Sequence, residues 1–256
     1  GSPDLMPFAG KVAVVTGAAG DVGRAVTRAL RARGTEVLAV DGPAQAQALA
    51  ALGAELPGIE TFVGDVTRSA DVVAYVAHAR RCFGGIDLFF NNTDVEGPVH
   101  ELPDYPEDAF DDVVGANLRA AFLGLKHVVP HLRDGGAIVN MASDLAVTGA
   151  AGLGGYVASK HGVLGLTRVA ALECQRRRIQ VNAICPTRAR EVVLDASSGP
   201  PVPFGDASGD GFRTPEEVAD LVIFLLSDGG RLHHRPEAHV VEPLPATPSR
   251  NGATPT

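Results

Sequence analysis

The sequence predicts a doubly wound α/β fold, in which helices cover both faces of one parallel β-sheet. Short apolar segments alternate with longer segments of helical periodicity along most of the chain, as is typical of parallel sheets with helical crossovers. The predicted strands are apolar throughout, which indicates burial on both faces. Glycine or a polar residue follows strand after strand, at the edge where ligands bind in such sheets. We therefore expect one open sheet with a site along its carboxyl edge.

Short runs of Val, Ile, Leu, Ala and Phe predict the strands. They span residues 11–16, 36–40, 59–63, 86–90, 137–141, 179–184 and 238–241. Helices are predicted between them, where apolar residues recur at helical spacing, as Val22, Val26 and Leu30 do in the first. They span residues 21–33, 44–52, 70–83, 107–132, 155–175 and 215–226. Residues 17–20 form a turn from the first strand to the first helix.

Length and composition indicate one domain. A chain of 256 residues, 45% of them hydrophobic, is long enough to bury a sizeable core. The last ten residues are rich in Pro, Thr and Ser, a composition typical of disordered tails. We expect a single domain over residues 1–246 and a disordered tail over 247–256.

Several classes of function are disfavoured. The net charge of −8 argues against binding a phosphate backbone, so no nucleic-acid partner is expected. No apolar run approaches the ~18 residues of a membrane span, and no signal-peptide pattern is seen, so a soluble, cytoplasmic protein without a membrane partner is expected. The three cysteines are widely spaced and fit no metal pattern. We expect reduced, buried thiols and no metal.

Tyr156 and Lys160 form the pair with the clearest chemical use. They are four residues apart in a helix-patterned segment, so their side chains project from one face. An ammonium a few ångströms from a phenol favours the phenolate and lowers a pKa that is otherwise near ~10. A tyrosine tuned in this way transfers protons near neutral pH. The alternative is an ordinary Tyr and Lys on an amphipathic helix.

Further motifs surround this pair in a recurring order. They are Thr16-Gly17 with Gly23, Asp65-Val66, Asn91-Asn92, Asn117-Leu118, Ser143, Tyr156-Val157-Ala158-Ser159-Lys160, and Val181-Asn182-Ala183 with Pro186. Each is weak alone, but their order and their places on the predicted elements are specific. From about residue 10 to residue 244, the chain resembles the short-chain dehydrogenase/reductase family, which has a Rossmann-like fold.

The resemblance implies a hydride exchange between a nicotinamide and an alcohol or ketone. Tyr156 would be the acid/base, and Lys160 would lower its pKa and hold the nicotinamide ribose. Ser143 would orient the substrate oxygen, and Asn117 would hold a water in the proton path. The cofactor-binding residues it implies are Gly17, Asp21, Val22, Gly23, Asp41, Asp65, Val66, Asn92, Tyr156, Lys160 and Pro186.

Asp41 bears on the choice of cofactor. It ends the second predicted strand, about twenty residues beyond the glycine turn, where a carboxylate accepts hydrogen bonds from adenine-ribose hydroxyls and repels a 2′-phosphate. This position favours NAD over NADP. The alternative is a simple turn former before Gly42-Pro43.

Asp21 departs from the family pattern, because it stands where the family's turn has its middle glycine. It brings a side chain and a negative charge to an anion site. Two like charges about 4 Å apart repel by ~1 kcal/mol in water and ~4 kcal/mol at an effective dielectric of 20. Alternatively, Asp21 caps the helix and points away, with Gly20 supplying the flexibility.

Other departures affect the same side of the site. Asp94 stands where the family has glycine in N-N-A-G, which places another carboxylate beside the cofactor groove. Thr187 replaces a glycine after Pro186, and Glu191 replaces the threonine expected to hold the nicotinamide amide. The segment over residues 196–211 lacks apolar helical periodicity, which indicates a mobile lid and a more open site.

Two functions follow from these residues. The first is an NAD(H)-dependent oxidoreductase acting on a ketone or secondary alcohol, with NAD bound weakly. The second is a cofactor-independent lyase, isomerase or cyclase that uses Ser143, Tyr156 and Lys160, with no dinucleotide bound. The first is preferred, with a small-molecule substrate. The resemblance also implies a homotetramer or homodimer formed by the two long helices.

Overall fold

The computed structural model describes residues 8–186, 214–228 and 240–241. The interpretations of Thr187, Glu191, the segment over 196–211 and the tail over 247–256 lie outside these residues. No helix in the described ranges is both long and apolar enough to cross a membrane.

One parallel sheet forms the centre of the molecule and confirms the predicted fold class. Within the described residues it has seven strands in the order β3-β2-β1-β4-β5-β6-β7. The strands are β1 (Val12–Thr16), β2 (Glu36–Asp41), β3 (Ile59–Val63), β4 (Ile86–Asn91), β5 (Leu132–Met141), β6 (Gln180–Ile184) and β7 (Val240–Val241). The order reverses between β1 and β4, which opens a crevice at their carboxyl ends.

Seven α-helices connect and cover the strands in the described ranges. They are α1 (Asp21–Ala32), α2 (Ala46–Glu55), α3 (Ser69–Phe83), α4 (Glu107–Val114), α5 (Ala120–Val128), α6 (Gly154–Glu173) and α7 (Pro215–Leu226). Most agree with the predicted helices within a few residues.

The prediction of one continuous helix over residues 107–132 is wrong. A π-helical segment, Gly115–Arg119, separates α4 from α5. After α5 the chain forms one turn of 3-10 helix, Val129–His131, and Leu132 already belongs to β5. Pro130 explains this end, because proline has no backbone N–H for a continuing helix.

The sheet divides the core into two layers. Alternate residues of a strand point to opposite faces, so Val15 packs with Val26 of α1 and Val222 of α7, whereas Val14 packs with Tyr75 and other residues of the opposite layer. Helices α1, α2 and α7 cover one face, and α3, α5 and α6 cover the other. The two layers hold the loops at the carboxyl edge between them.

Two glycines are required by the turn between β1 and α1. Gly17 has φ +58°, and a Cβ there would clash with the backbone oxygen of Asn92. A Cβ on Gly23 would clash with the backbone oxygen of Gly17. Gly20, by contrast, has φ −73° and begins α1 as its N-cap. The first and last glycines of the turn are therefore fixed by the backbone itself.

Candidate active site

A groove of about 730 Å³ lies at the carboxyl edge of the sheet. It brings together nine of the predicted cofactor-binding residues, which lie at or after the carboxyl ends of five different strands. They are Gly17, Asp21, Val22, Gly23, Asp41, Asp65, Val66, Asn92 and Pro186. The groove lies at the reversal of strand order, where doubly wound sheets bind their ligands.

The charged side chains among the described residues of this lining are all acidic. They belong to Asp21, Asp41, Asp65 and Asp94. Each adds repulsion toward an anionic ligand, and most of all toward one with an extra phosphate.

Asp41 connects the end of β2 to the glycine turn. Its Oδ2 accepts a hydrogen bond from the backbone N–H of Ala19, and its Oδ1 accepts one from Gly42, both at 2.8 Å. Asp41 therefore has the turn-forming role that was the alternative interpretation. Each carboxylate oxygen has a second lone pair, so the same side chain can also accept hydrogen bonds from a ligand in the groove.

Asp21 is exposed and is the first residue of α1. The N-cap is Gly20, and no side-chain hydrogen bond caps the helix, so the interpretation of Asp21 as a capping residue is wrong. The carboxylate lies in the first turn, where it interacts favourably with the positive end of the helix. An anionic ligand at this helix end would be attracted by the positive end of the helix and repelled by the negative charge of Asp21.

Asn92 and Asp65 shape the groove through backbone contacts. The backbone N–H of Asn92 donates to Thr16 Oγ1 at 2.9 Å, and its side-chain amide donates to the Gly17 carbonyl at 3.3 Å. Asp65 Oδ1 accepts from both the backbone and the hydroxyl of Thr67. These contacts fix the loops after β1, β3 and β4.

Tyr156 and Lys160 lie side by side near the start of α6, and both are buried. The Lys160 Nζ lies 5.6 Å from the centre of the Tyr156 ring. Both side chains converge on Asp94: the Tyr156 hydroxyl donates to Asp94 Oδ1 at 2.9 Å, and the Lys160 Nζ is 3.4 Å from the same oxygen. The expected phenol–ammonium pair is therefore a triad that includes a carboxylate.

Backbone oxygens complete the surroundings of Lys160. Its Nζ donates to the carbonyl of Thr93 at 2.9 Å and to that of Met141 at 3.3 Å. Burial favours the neutral amine and lowers the pKa of Lys160 to about 7, against a smaller opposing effect of Cys185. This side chain therefore titrates close to neutral pH.

Ser143 follows β5 and is buried. Its hydroxyl donates to Asp144 Oδ1 at 3.0 Å and accepts from the backbone N–H of Leu145 at 3.2 Å. A substrate oxygen would have to compete with Asp144 for this proton. The predicted role in orienting the substrate therefore requires the hydroxyl to turn away from Asp144.

Asn117 lies in the π-helical segment, and its side chain holds the loop after β4. Its Oδ1 accepts from the backbone N–H of Val95 at 2.8 Å, and its Nδ2 donates to the Val95 carbonyl at 2.7 Å. The same Nδ2 donates to Ser159 Oγ at 3.0 Å. Asn117 thus joins this loop to α6, and the water-holding role implied by the resemblance stays a prediction.

A second cluster of polar side chains lies away from the groove. The His78 Nε2 is 3.4 Å from Glu60 Oε2 and 3.5 Å from Cys82 Sγ. The expectation of buried thiols is wrong for Cys82, which is exposed. Arg81 contacts the other ring nitrogen of His78 at 2.8 Å, and its positive charge opposes a cation at this cluster.

Comparison with known proteins identifies the family. Residues 11–196 match the family model described as short chain dehydrogenase. The chain belongs to this family. It is therefore an enzyme of the short-chain dehydrogenase/reductase type, as its site residues and sheet order also indicate.

Relatives of this short-chain dehydrogenase include well-defined oxidoreductases. Levodione reductase of Leifsonia aquatica is 36% identical over 237 residues, which are 86% of this chain and 89% of that protein. A crystal structure of levodione reductase has a TM-score of 0.77 and 31% identity, covering 92% of this chain and 97% of the other.

Two further solved structures contain a dinucleotide. NAD⁺-bound xylitol dehydrogenase has a TM-score of 0.77 and 30% identity, covering 91% of this chain and 98% of its own. A blue fluorescent protein from a metagenomic library, in complex with NADPH, has a TM-score of 0.78 and 27% identity. It covers 93% of this chain and 98% of its own length.

The sequence did not reveal two contacts at the reactive end of the site. The sequence places Asp94 beside the cofactor groove but does not indicate its contact with Tyr156, and no motif points to Asp144. Asp94 lies in a loop, where no periodicity shows which way a side chain points. The signal that the sequence contains is the negative charge of Asp94, in a loop close to the buried Lys160.

The burial of Lys160 predicts how stability changes with pH. The pKa of Lys160 is about 7 in the folded enzyme, whereas a lysine in an unfolded chain titrates near ~10.4. Between these values the unfolded state binds more protons, so the free energy of unfolding rises with pH. From pH 7 to pH 9, the parent should gain about 2 kcal/mol relative to Lys160→Met in urea unfolding.

The exposed Lys126 provides the control, since Lys126→Met should follow the parent at every pH. A parent that instead loses stability relative to Lys160→Met over this range would show that the ion pair with Asp94 outweighs burial.

Proposed function

We propose that the protein is an NAD(H)-dependent oxidoreductase that interconverts a ketone and a secondary alcohol. The observation that carries this proposal is the buried pair Tyr156 and Lys160, joined through Asp94 to a groove at the reversal of strand order. The family and its reductase and dehydrogenase relatives support it.

The groove fits a dinucleotide in two respects. The N-terminus of α1 borders it without a side-chain cap, so backbone N–H groups are available to a pyrophosphate. Asp41 lies at the end of β2, where it can accept hydrogen bonds from ribose hydroxyls. When bound, the nicotinamide would supply or accept the hydride.

The chain's own residues would handle the proton. The Tyr156 hydroxyl would turn away from Asp94 to donate its proton to the oxygen of a bound carbonyl, or would receive one from a bound alcohol. Ser143 would donate a second hydrogen bond to that oxygen, so the negative charge that develops there is stabilised from two sides. After the phenol has given up its proton, a positive charge on Lys160 would stabilise the negative phenolate.

The acidic lining favours NAD over NADP. The two cofactors differ by a 2′-phosphate, and Asp41 lies where that phosphate would meet a carboxylate. The structural neighbours include one protein with NAD⁺ and one with NADPH, so the proposed choice rests on Asp41. Asp21 is proposed to weaken binding of either cofactor, because its charge lies at the anion-binding end of α1.

The cofactor-independent alternative uses the same acid/base residues. Levodione reductase and xylitol dehydrogenase do not favour it, because their names state reductase or dehydrogenase activity. A measurement of dinucleotide binding by the purified protein distinguishes the two functions directly. The experiment is designed around Asp21.

Replacing Asp21 by glycine should strengthen NADH binding. The change removes one repulsive charge, and calorimetry should show a gain of ~1 kcal/mol or more, about fivefold or greater. Preference for NADH over NADPH should persist, since Asp41 is unchanged.

Asp41→Asn provides the matched comparison, because it removes one charge from the same groove and should mainly relax the preference against NADPH. No detectable NADH binding by the parent or by Asp21→Gly would contradict the oxidoreductase and favour the cofactor-independent function.

Replacing Tyr156 by phenylalanine should remove the chemical step while keeping the fold. The lost hydroxyl is the proposed proton donor, so carbonyl reduction with NADH should fall by at least ~100-fold. A panel of cyclic and β-substituted ketones, followed through NADH absorbance, provides the assay. Turnover within a few-fold of the parent would refute the role of Tyr156, provided that both proteins bind NADH equally.

We also propose a homo-oligomer formed through α5 and α6. Val169 and Leu172 of α6 are 51% and 58% exposed, and Phe122 of α5 is 43% exposed. Gly165 on α6 has open space where its Cβ would be, which allows another helix to approach closely. A two-fold axis would pair this face with the same face of a second copy.

Light scattering should show a dimer or tetramer at micromolar concentration, and Leu172→Glu should yield smaller species. Val73 on α3 is similarly exposed, at 49%, and Val73→Glu should leave the mass unchanged. A monomeric parent would contradict this assembly.

A further inference from the structure

We propose that Asp94 is a positioning residue that keeps the proton on Tyr156 and thereby sets the site for protonation of a carbonyl oxygen. The consequence for turnover rests on the proposed function. The effect of Asp94 on the protonation of Tyr156 does not rest on that function, because it concerns the protein without ligand.

The contacts of Asp94 carry the inference. Its Oδ1 accepts the hydrogen bond of the Tyr156 hydroxyl at 2.9 Å, and the same oxygen lies 3.4 Å from the Lys160 Nζ. The exposed fraction of the Asp94 side chain is 21%, and that of Lys160 is 0%. The interaction is therefore weakly screened by water, and electrostatic effects across it are strong.

The loop that presents Asp94 is fixed on both sides. Before Asp94, Lys160 donates to the carbonyl of Thr93. After it, Asn117 binds both the N–H and the C=O of Val95. The carboxylate is thus held against the phenol by the backbone contacts of Lys160 and Asn117 as well as by its own side-chain contacts.

Two effects on the phenol act in the same direction. A phenol that donates to a carboxylate is stabilised in its protonated form. The negative charge of Asp94 opposes a second negative charge on the Tyr156 oxygen. Together they oppose the formation of the phenolate, which an ammonium four residues along the helix would favour.

Other titratable groups occur on the elements packed around Tyr156. The ring packs against Val113 of α4, Leu145 after β5 and Val99 in the loop after β4. The neighbouring titratable residues on these elements are Glu96, His100, Tyr105, Asp111, Asp112 and Asp144. Asp94 and Lys160 contact Tyr156 directly. Replacing Asp94 should therefore change the ionisation of Tyr156 more than replacing any of these neighbouring residues would.

The protein is well suited to a direct measurement. It has three tyrosines and no tryptophan, so the absorbance of tyrosinate can be followed with little interference. Burial raises the pKa of both Tyr75 and Tyr105, which delays their ionisation. Subtracting the titration of Tyr156→Phe from that of the parent isolates the signal of Tyr156.

The experiment compares the parent with Asp94→Asn and Asp94→Gly, all without ligand. Stopped-flow pH jumps would record tyrosinate absorbance before any unfolding. In both variants the midpoint of Tyr156 ionisation should fall by about one pH unit or more, since the opposing charge is gone. Two variants are used because glycine also removes the hydrogen-bond acceptor, whereas asparagine keeps one.

Asp21→Asn is the matched control, because it removes a carboxylate from the same groove at the end of α1. Its Tyr156 midpoint should equal that of the parent. A midpoint that is unchanged or higher in both Asp94 variants would overturn the proposal, as would an equal fall in Asp21→Asn.

The same variants separate this inference from the proposed function. If ketones are reduced with NADH, the alkaline limb of kcat/KM should move to lower pH in Asp94→Asn, by about the shift seen in absorbance. An absorbance shift without any reduction would support the role of Asp94 and contradict the oxidoreductase. An alkaline limb that stays in place despite turnover would overturn the consequence for catalysis.

Discussion

The buried amine of Lys160 is the contact on which the arrangement of the site depends. A lysine with no exposed side-chain surface requires oxygen partners, and these come from the loop after β4 and from the last residue of β5. Satisfying one amine therefore fixes the start of α6 against the carboxyl edge of two strands. Tyr156, one turn earlier on the same helix, is positioned as a result.

Acidic side chains recur along this edge, and they serve more than one purpose. Asp41 secures the glycine turn through the backbone N–H of Ala19, and Asp94 accepts from the phenol. Asp21 makes no cap for α1, and it lines the groove at the end of that helix. The same sign of charge thus supports the loops and adds negative charge to the lining of the groove.

The sequence was sufficient for the sheet, because a strand buried on both faces requires a continuous apolar run, and such runs are visible in residues 12–15 and 88–90. It also located nine groove residues, since the carboxyl ends of parallel strands meet at one edge. It failed at Asp94 and within residues 107–132. Loop direction and the transition from α- to π-helix depend on tertiary contacts, such as those of Asn117, that no local pattern contains.

The π-helical segment around Asn117 places one more residue in a turn than an α-helix would hold. Each residue of an α-helix advances the chain by about 100° around the axis. Deleting a single residue there would therefore let α4 and α5 merge while turning one of them by roughly a quarter of a circle. The face of α4 that covers Tyr156 and the face of α5 that covers the sheet are compatible only because of this extra residue, so the length of the chain between them is itself a determinant of the site.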